Sequence, residues 1–169
     1  MKVTIRENVW ETNSSSMHTI AVAKNRPEHL YPCKLTFYRK RFGWEIEEYD
    51  GILACASYLY EAILGSYSYA EQQRWLDWIR NVLAKYQIEV EFRDPDKDNA
   101  GWIDHVYECG GFLEYVLHDE ESLLCYLFGD SAIYTCNDNT DPDEREGYYQ
   151  FGEYYGSKPE DFVVFEKDN

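Results

Sequence analysis

Between positions 70 and 86, apolar residues recur at steps of three and four, and charged residues fill many of the positions between them. The apolar set is Trp75, Trp78, Ile79, Val82, Leu83 and Tyr86. In an α-helix this spacing collects the apolar side chains on one face, which must be covered by another layer of the protein. The pattern therefore predicts an amphipathic helix packed on a core, with its tryptophans in that core.

The hydrophobic period changes several times along the rest of the chain. A second helical pattern runs from Ile52 to about Gly65, and short helices are predicted over residues 111–118 and 120–128. Two-residue alternation and β-branched runs predict strands. These cover residues 2–6, 18–22, 34–39, 44–47, 88–92, 131–136 and 162–165. Since no repeat or linker divides residues 1–169, we expect a single α+β domain, a mostly antiparallel sheet with helices packed on one face.

Two of these strands flank residues 40–43, and we expect them to form a protruding β-hairpin over residues 34–49. The tip combines cations with aromatic rings, a composition suited to gripping nucleic acid or a partner protein. The predicted contact residues are Arg39, Lys40, Arg41, Phe42 and Trp44. The alternative is that the rings pack back on the sheet.

All of the net charge of −16 lies beyond Arg93: residues 1–93 hold 12 basic and 12 acidic side chains, and residues 94–169 hold 4 and 20. The stretch from Lys24 to Arg41 is basic, so we expect an electrically polarised molecule. The strongly acidic half, 94–169, would repel duplex DNA and seek the basic surface of a nucleic-acid-binding protein, where carboxylates replace phosphates. The predicted acidic contacts are Asp119, Glu120, Glu121, Asp138, Asp141, Asp143 and Glu144. The alternative is that these residues only keep the protein soluble.

The segment from Glu11 to His18 gathers a carboxylate, an amide, three hydroxyls and an imidazole. Turns of this composition can bind anions through backbone N–H groups, and histidine transfers protons near neutral pH. One hypothesis is therefore an RNA-processing enzyme or cleavage cofactor with a metal-independent, ribonuclease-like activity. Its candidate catalytic residues are Glu11, Ser14, Ser15, Ser16 and His18. The alternative is a self-hydrogen-bonded turn in a protein that performs no catalysis, which the lack of a nucleophile-elbow motif favours.

The sequence contains no motif typical of a metal or cofactor site. Asp104, His105 and Glu108 lack further ligands, residues 137–144 lack EF-hand spacing, and Walker and Rossmann spacings are missing. The five cysteines form no Cys-x-x-Cys pair and are expected to be reduced, mostly buried thiols. Without a long apolar stretch or a signal-peptide pattern, we expect a cytoplasmic protein that does not bind membranes.

Two blocks of the sequence resemble a known family. Residues 9–18, Val-Trp-Glu-Thr-Asn-Ser-Ser-Ser-Met-His, and residues 124–139 resemble segments of small proteins from phages and mobile elements of Gram-positive bacteria. Some members of that family look like type II-A anti-CRISPR proteins, which inhibit guide-RNA-loaded Cas9. The resemblance implies a phage-encoded inhibitor that binds Cas9 or its guide-RNA complex inside the bacterial host, and the positively charged channel of Cas9 suits an acidic protein. A phage accessory protein with another host partner is the alternative.

Overall fold

The computed structural model describes residues 16–28, 31–43, 45–93, 101–104, 109–137 and 159–167. Its strands are β1 (Ser16–Ala23), β2 (Lys34–Tyr38), β3 (Arg41–Phe42), β4 (Glu47–Asp50), β5 (Glu89–Arg93), β6 (Trp102–Ile103), β7 (Ala132–Asn137) and β8 (Phe162–Lys167). Its helices are α1 (Ile52–Ser66), α2 (Tyr69–Ala84), α3 (Gly110–Val116) and α4 (Glu120–Phe128). No helix within these ranges has the length and apolar character needed to cross a membrane.

Four strands form an antiparallel sheet in the order β4-β7-β1-β8. β1 is an inner strand, in which Ile20 stands opposite Ile133 of β7 and Phe165 of β8. Ile20 and Ile133 belong to the main core, which they share with the helices. The alternate residues Ala21 and Tyr134 belong to a second, smaller buried cluster. The predicted α+β class with a mostly antiparallel sheet is confirmed.

Helix α1 lies at the centre of the helical layer. All residues from Cys55 to Ile63 are buried, because α1 contacts β2, β4 and β6 as well as the other three helices. Helix α2 is amphipathic as predicted, and it buries Ile79, Val82 and Leu83. It begins at a capping box in which Ser68 and Glu71 satisfy each other's backbone N–H groups. The middle of α1 is therefore enclosed, with α2 as one of the elements that cover it, whereas Leu53 near its start is 58% exposed.

The predicted hairpin over residues 34–49 is wrong in its strand pairing. β2 runs parallel to β5, β3 runs parallel to β6, and β4 joins the antiparallel sheet beside β7. Leu35 and Phe37 of β2 lie opposite Val90 and Phe92 of β5, and this apolar row packs on the main core. Parallel pairing removes these side chains from water, whereas a protruding hairpin would have exposed them.

Candidate functional site

The two described members of the predicted catalytic loop, Ser16 and His18, lie inside the protein. Both belong to β1, and their side chains are 0% and 1% exposed. They alternate with less buried neighbours, so they occupy the same face of the strand as Ile20 and Val22. Ser16 approaches the carbonyl oxygen of Asp104 at 3.5 Å. Glu11, Ser14 and Ser15 lie outside the described residues.

Both ring nitrogens of His18 have hydrogen-bond partners. Nε2 lies 3.0 Å from the carbonyl oxygen of Gly43, which can only accept, so Nε2 carries the hydrogen. Nδ1 forms a hydrogen bond with the hydroxyl of Tyr58 at 3.0 Å. The thiol of Cys109 lies 3.7 Å from the same hydroxyl and can donate to it. Burial raises the pKa of Tyr58 well above its usual range. The imidazole therefore acts as a buried structural group that ties β1 to α1.

Tyr58→Phe is expected to destabilise the protein by about 1 to 3 kcal/mol, since the buried His18 would lose the hydroxyl that lies 3.0 Å from its Nδ1. Urea denaturation should show a lower midpoint with an unchanged slope. Tyr69→Phe is the matched control, because Tyr69 is 76% exposed, and it should leave the midpoint unchanged. A Tyr58→Phe variant as stable as the wild type would contradict this hydrogen-bonded chain.

Three acidic residues predicted to contact a partner form bonds within the fold. Asp119 caps α4 by accepting from the backbone N–H of Ser122 at 2.8 Å, which lowers its pKa. Glu120 accepts from Lys85 and from the hydroxyl of Tyr86, and these bonds lower the pKa of Glu120. These acidic residues are therefore engaged within the fold.

The third, Glu121, forms a two-pronged ion pair with Arg26, both N–O distances being 3.0 Å. This pair joins α4 to the segment that follows β1. The other predicted acidic contacts, Asp138, Asp141, Asp143 and Glu144, lie outside the described residues.

Arg39 is also a structural residue. Glu61 of α1 is only 2% exposed, and its Oε1 accepts from Arg39 Nε at 2.7 Å and from the backbone N–H of Lys40 at 3.0 Å. Arg39 donates in addition to the carbonyl oxygen of Gly101 at 2.8 Å. The Arg39–Glu61 pair thus joins α1 to the point where β3 and β6 begin.

Phe42, the ring predicted at a hairpin tip, is 0% exposed. It packs edge-on against Tyr49 and Tyr58, with ring centroids 5.0 and 4.9 Å away. Phe42 belongs to the core. The prediction that it is a surface contact is therefore wrong. Trp44 lies outside the described residues.

The basic stretch is less basic in three dimensions than along the sequence. Six described cations form ion pairs with carboxylates: Arg26, Lys34, Arg39, Arg80, Lys85 and Arg93. Arg93 and Lys34 both bond Glu91, and these bonds lower the pKa of that carboxyl to about 2. Within the described ranges, Lys40 and Arg41 form no ion pair. Of the six cations between Lys24 and Arg41, Arg26, Lys34 and Arg39 are therefore paired with carboxylates from distant segments, whereas Lys24, Lys40 and Arg41 are exposed and form no ion pair with a described residue.

Exposed carboxylates without an ion pair are found on β4, an edge strand of the sheet, and just before it. Glu45, Glu47 and Asp50, which we call the acidic strip, are exposed and form no ion pair with any described residue. Their neighbour Glu48 accepts from the hydroxyl of Tyr134 at 3.1 Å. The net charge of residues 1–93 did not reveal the acidic strip, because the basic and acidic side chains of that segment cancel. The acidic run from Glu45 to Asp50 was the signal that could have found it.

The thiols show no sign of a nucleophile in the described residues. Burial raises the pKa of Cys55 to about 12 and that of Cys125 to about 11. All five cysteines are free, and Cys55, Cys109 and Cys125 are buried as predicted. No group of His, Cys, Asp and Glu side chains in the described part is arranged to hold a metal ion.

No family model, curated protein or solved structure matches this chain. The resemblance of residues 9–18 and 124–139 to a phage family therefore stays a prediction. For a functional assignment, the described residues provide two observations: the distribution of charge and the exposed apolar surface.

Proposed function

We propose that this chain is a binding protein that places an acidic surface against the basic, nucleic-acid-binding groove of a partner protein. The observation that carries the proposal is the distribution of unpaired charge. Six described cations form ion pairs with carboxylates, whereas the three carboxylates of the acidic strip are exposed and form no ion pair with any described residue. Such a surface attracts the Lys and Arg side chains that otherwise hold phosphates, and it repels duplex DNA.

Among proteins with such a groove, we propose Cas9 loaded with guide RNA as the partner. The support is the resemblance of the two sequence blocks to the phage family, together with the long positive channel in which Cas9 holds guide and target. The chain would act by occupying the positively charged nucleic-acid channel of Cas9. The burial of Ser16 and His18 gives no support to a ribonuclease activity.

Size exclusion of the full chain mixed with Cas9 and guide RNA tests this proposal. Co-elution is expected at about 0.05 M salt and its loss at about 0.5 M, because exposed charges are screened. The guide should be intact on a denaturing gel. The absence of co-elution at low salt would contradict Cas9 as the partner. A shortened guide RNA would contradict action by binding alone and would indicate RNA processing.

The double variant Glu45→Lys, Glu47→Lys should lower the association rate with the Cas9–guide complex about tenfold and weaken its salt dependence. The reason is that exposed charges at an interface mainly steer the encounter. The measurement is biolayer interferometry at several salt concentrations. The control is Glu114→Lys with Glu166→Lys, exposed residues on α3 and β8 that change the net charge equally. Equal losses in both variants would show that net charge, and not the acidic strip, governs association.

A further inference from the structure

Among the residues that the structure describes, β2 and β5 form a parallel sheet of only two strands. The backbone N–H of Glu89 donates to the carbonyl oxygen of Cys33, and Lys34 lies opposite Glu89. Along a strand, one residue directs both of its backbone groups to one neighbour, and the next residue directs both to the other side. Glu89 faces β2, so the backbone groups of Val90 and Phe92 face away from it.

These outward-facing backbone groups form an open sheet edge. The N–H and carbonyl groups of Val90 and Phe92 have no hydrogen-bond partner among the described residues. They present two donors and two acceptors in a row, which is a template for another strand. An extended polypeptide carries donors and acceptors at the same spacing, whereas the phosphate groups of a nucleic acid only accept. The backbone of β5 therefore selects a polypeptide, independently of charge.

The charged side chains of β5 are paired within the fold. Glu91 Oε1 accepts from Arg93 at 2.6 Å, and its Oε2 lies 2.9 Å from Lys34 Nζ. The same ammonium lies 3.5 Å from Glu89. No proline interrupts β5. Unpaired charge and proline are the usual protection of a sheet edge, and β5 has neither.

The side chains distinguish this edge from the open edge of β2. Leu35 and Phe37 of β2 are 1% and 0% exposed, so a strand added there would cover no further apolar surface of theirs. Val90 and Phe92 pack on the core but are only half-buried. The guanidinium of Arg80 lies 4.7 Å from the centroid of the Phe92 ring and covers part of it. Apolar surface that a third strand could cover is therefore found beside β5.

We propose that β5 is a docking edge for an extended segment of a partner protein, which adds a third strand beside Val90 and Phe92. The segment carries apolar residues at alternate positions, and these side chains continue the apolar row of β2 and β5 on the core face. Its other side chains lie beside the paired charges of β5, so no particular charge is required of them. This edge belongs to a different sheet from the acidic strip, and the inference goes beyond the proposed function.

The test uses the isotope-labelled full chain and a short peptide with blocked ends that alternates valine with threonine, and it does not require Cas9. In the unbound chain, the amide hydrogens of Val90 and Phe92 should exchange with solvent about tenfold or more faster than that of Glu91, which faces β2. The peptide should shift both resonances in NMR spectra and slow their exchange about tenfold. A peptide that alternates serine with threonine should bind about tenfold more weakly, because no apolar side chain leaves water. Unchanged exchange at Val90 and Phe92 would overturn the proposal.

Two N-methylated peptides test the hydrogen bonds directly. One is methylated at its valine amides and the other at its threonine amides, so each keeps the donors of one edge only. One peptide should lose at least about tenfold in affinity and the other should keep it, because only one set of amides faces β5. The pattern that abolishes binding also gives the direction of the added strand. Equal effects of the two methylation patterns would overturn the proposal.

Two variants locate the edge. Val90→Pro removes an outward-facing N–H at a position where an edge strand tolerates proline, and it should weaken the peptide about tenfold. Thr36→Pro is the matched control, because the N–H of Thr36 faces away from β5 on the other open edge, and it should leave binding unchanged. If only Thr36→Pro weakens binding, β5 is not the docking edge; if Val90→Pro does not fold, the methylated peptides decide. Dimerisation of the chain that Val90→Pro abolishes would overturn the partner protein in favour of a second copy.

Discussion

Glu61→Ala is expected to lose about 3 to 5 kcal/mol of unfolding free energy, the cost of breaking a buried ion pair by removing one partner. The substitution leaves the guanidinium of Arg39, which is 20% exposed, without its carboxylate. It also removes the acceptor of the backbone N–H of Lys40, which is Glu61 Oε1 at 3.0 Å. Urea denaturation followed by tryptophan fluorescence would measure the loss.

Two further variants separate charge from packing at this position. Glu61→Leu combined with Arg39→Met should recover much of the loss, because apolar pairs of similar volume often replace buried ion pairs at little cost. Asp77→Ala breaks the exposed pair with Arg80 and should cost about 1 kcal/mol or less. If Glu61→Ala and Asp77→Ala have the same small effect, the buried pair does not join α1 to the strands as described.

Gly101→Ala is expected to destabilise the protein by about 3 kcal/mol or more, at or beyond the upper end for overpacking. A Cβ atom at this position would lie well inside 3.0 Å of Glu61 Oε1 and of the backbone nitrogen of Lys40. The nitrogen cannot move without breaking the start of β3, and the carboxylate cannot move without leaving Arg39. The same denaturation experiment measures the effect.

Gly110→Ala is the matched control for this substitution. A Cβ atom at Gly110 meets nothing within 4 Å, and the residue is the first of α3. Alanine favours helix over glycine, so this variant should be neutral or more stable by up to about 1 kcal/mol. A Gly101→Ala protein that resists urea as well as Gly110→Ala would show that the close approach of the two segments is not required.

Helices were the most predictable part of the fold. The apolar spacing of residues 70–86 reports directly on a face that must be covered, and α2 is found there. α4 spans the predicted residues 120–128, where Asp119 supplies the cap. Signals of this kind depend only on residues close together in the chain, so a single sequence is enough to recognise them.

Strand pairing could not be predicted in the same way. Alternation shows that Leu35 and Phe37 share a face, but not which strand lies beside them. The nearby acidic segment suggested a hairpin, whereas the apolar match with Val90 and Phe92 lies beyond two intervening helices. Nearness along the chain was therefore a misleading guide to the neighbour.

The candidate site was predicted less well for a related reason. His18 looked reactive because three serine hydroxyls and a carboxylate precede it in the sequence, yet its alternation with Ile20 and Val22 already placed it on the covered face of a strand. Net charge by segment also misled, because Arg26 and Arg39 are neutralised by Glu121 and Glu61 from other elements. Polar residues are reliable site indicators only once their spatial partners are known.

The position of β1 has a consequence for how the protein is made. Its two neighbours, β7 and β8, are supplied by residues 132–167. During translation β1 therefore leaves the ribosome long before either neighbour exists, with Ile20, Ala21 and Val22 and its backbone hydrogen-bonding groups unpaired. Such a strand is prone to associate with other chains, and sheets of this long-range type form slowly. The nascent chain therefore exposes this strand until β7 and β8 have been synthesised.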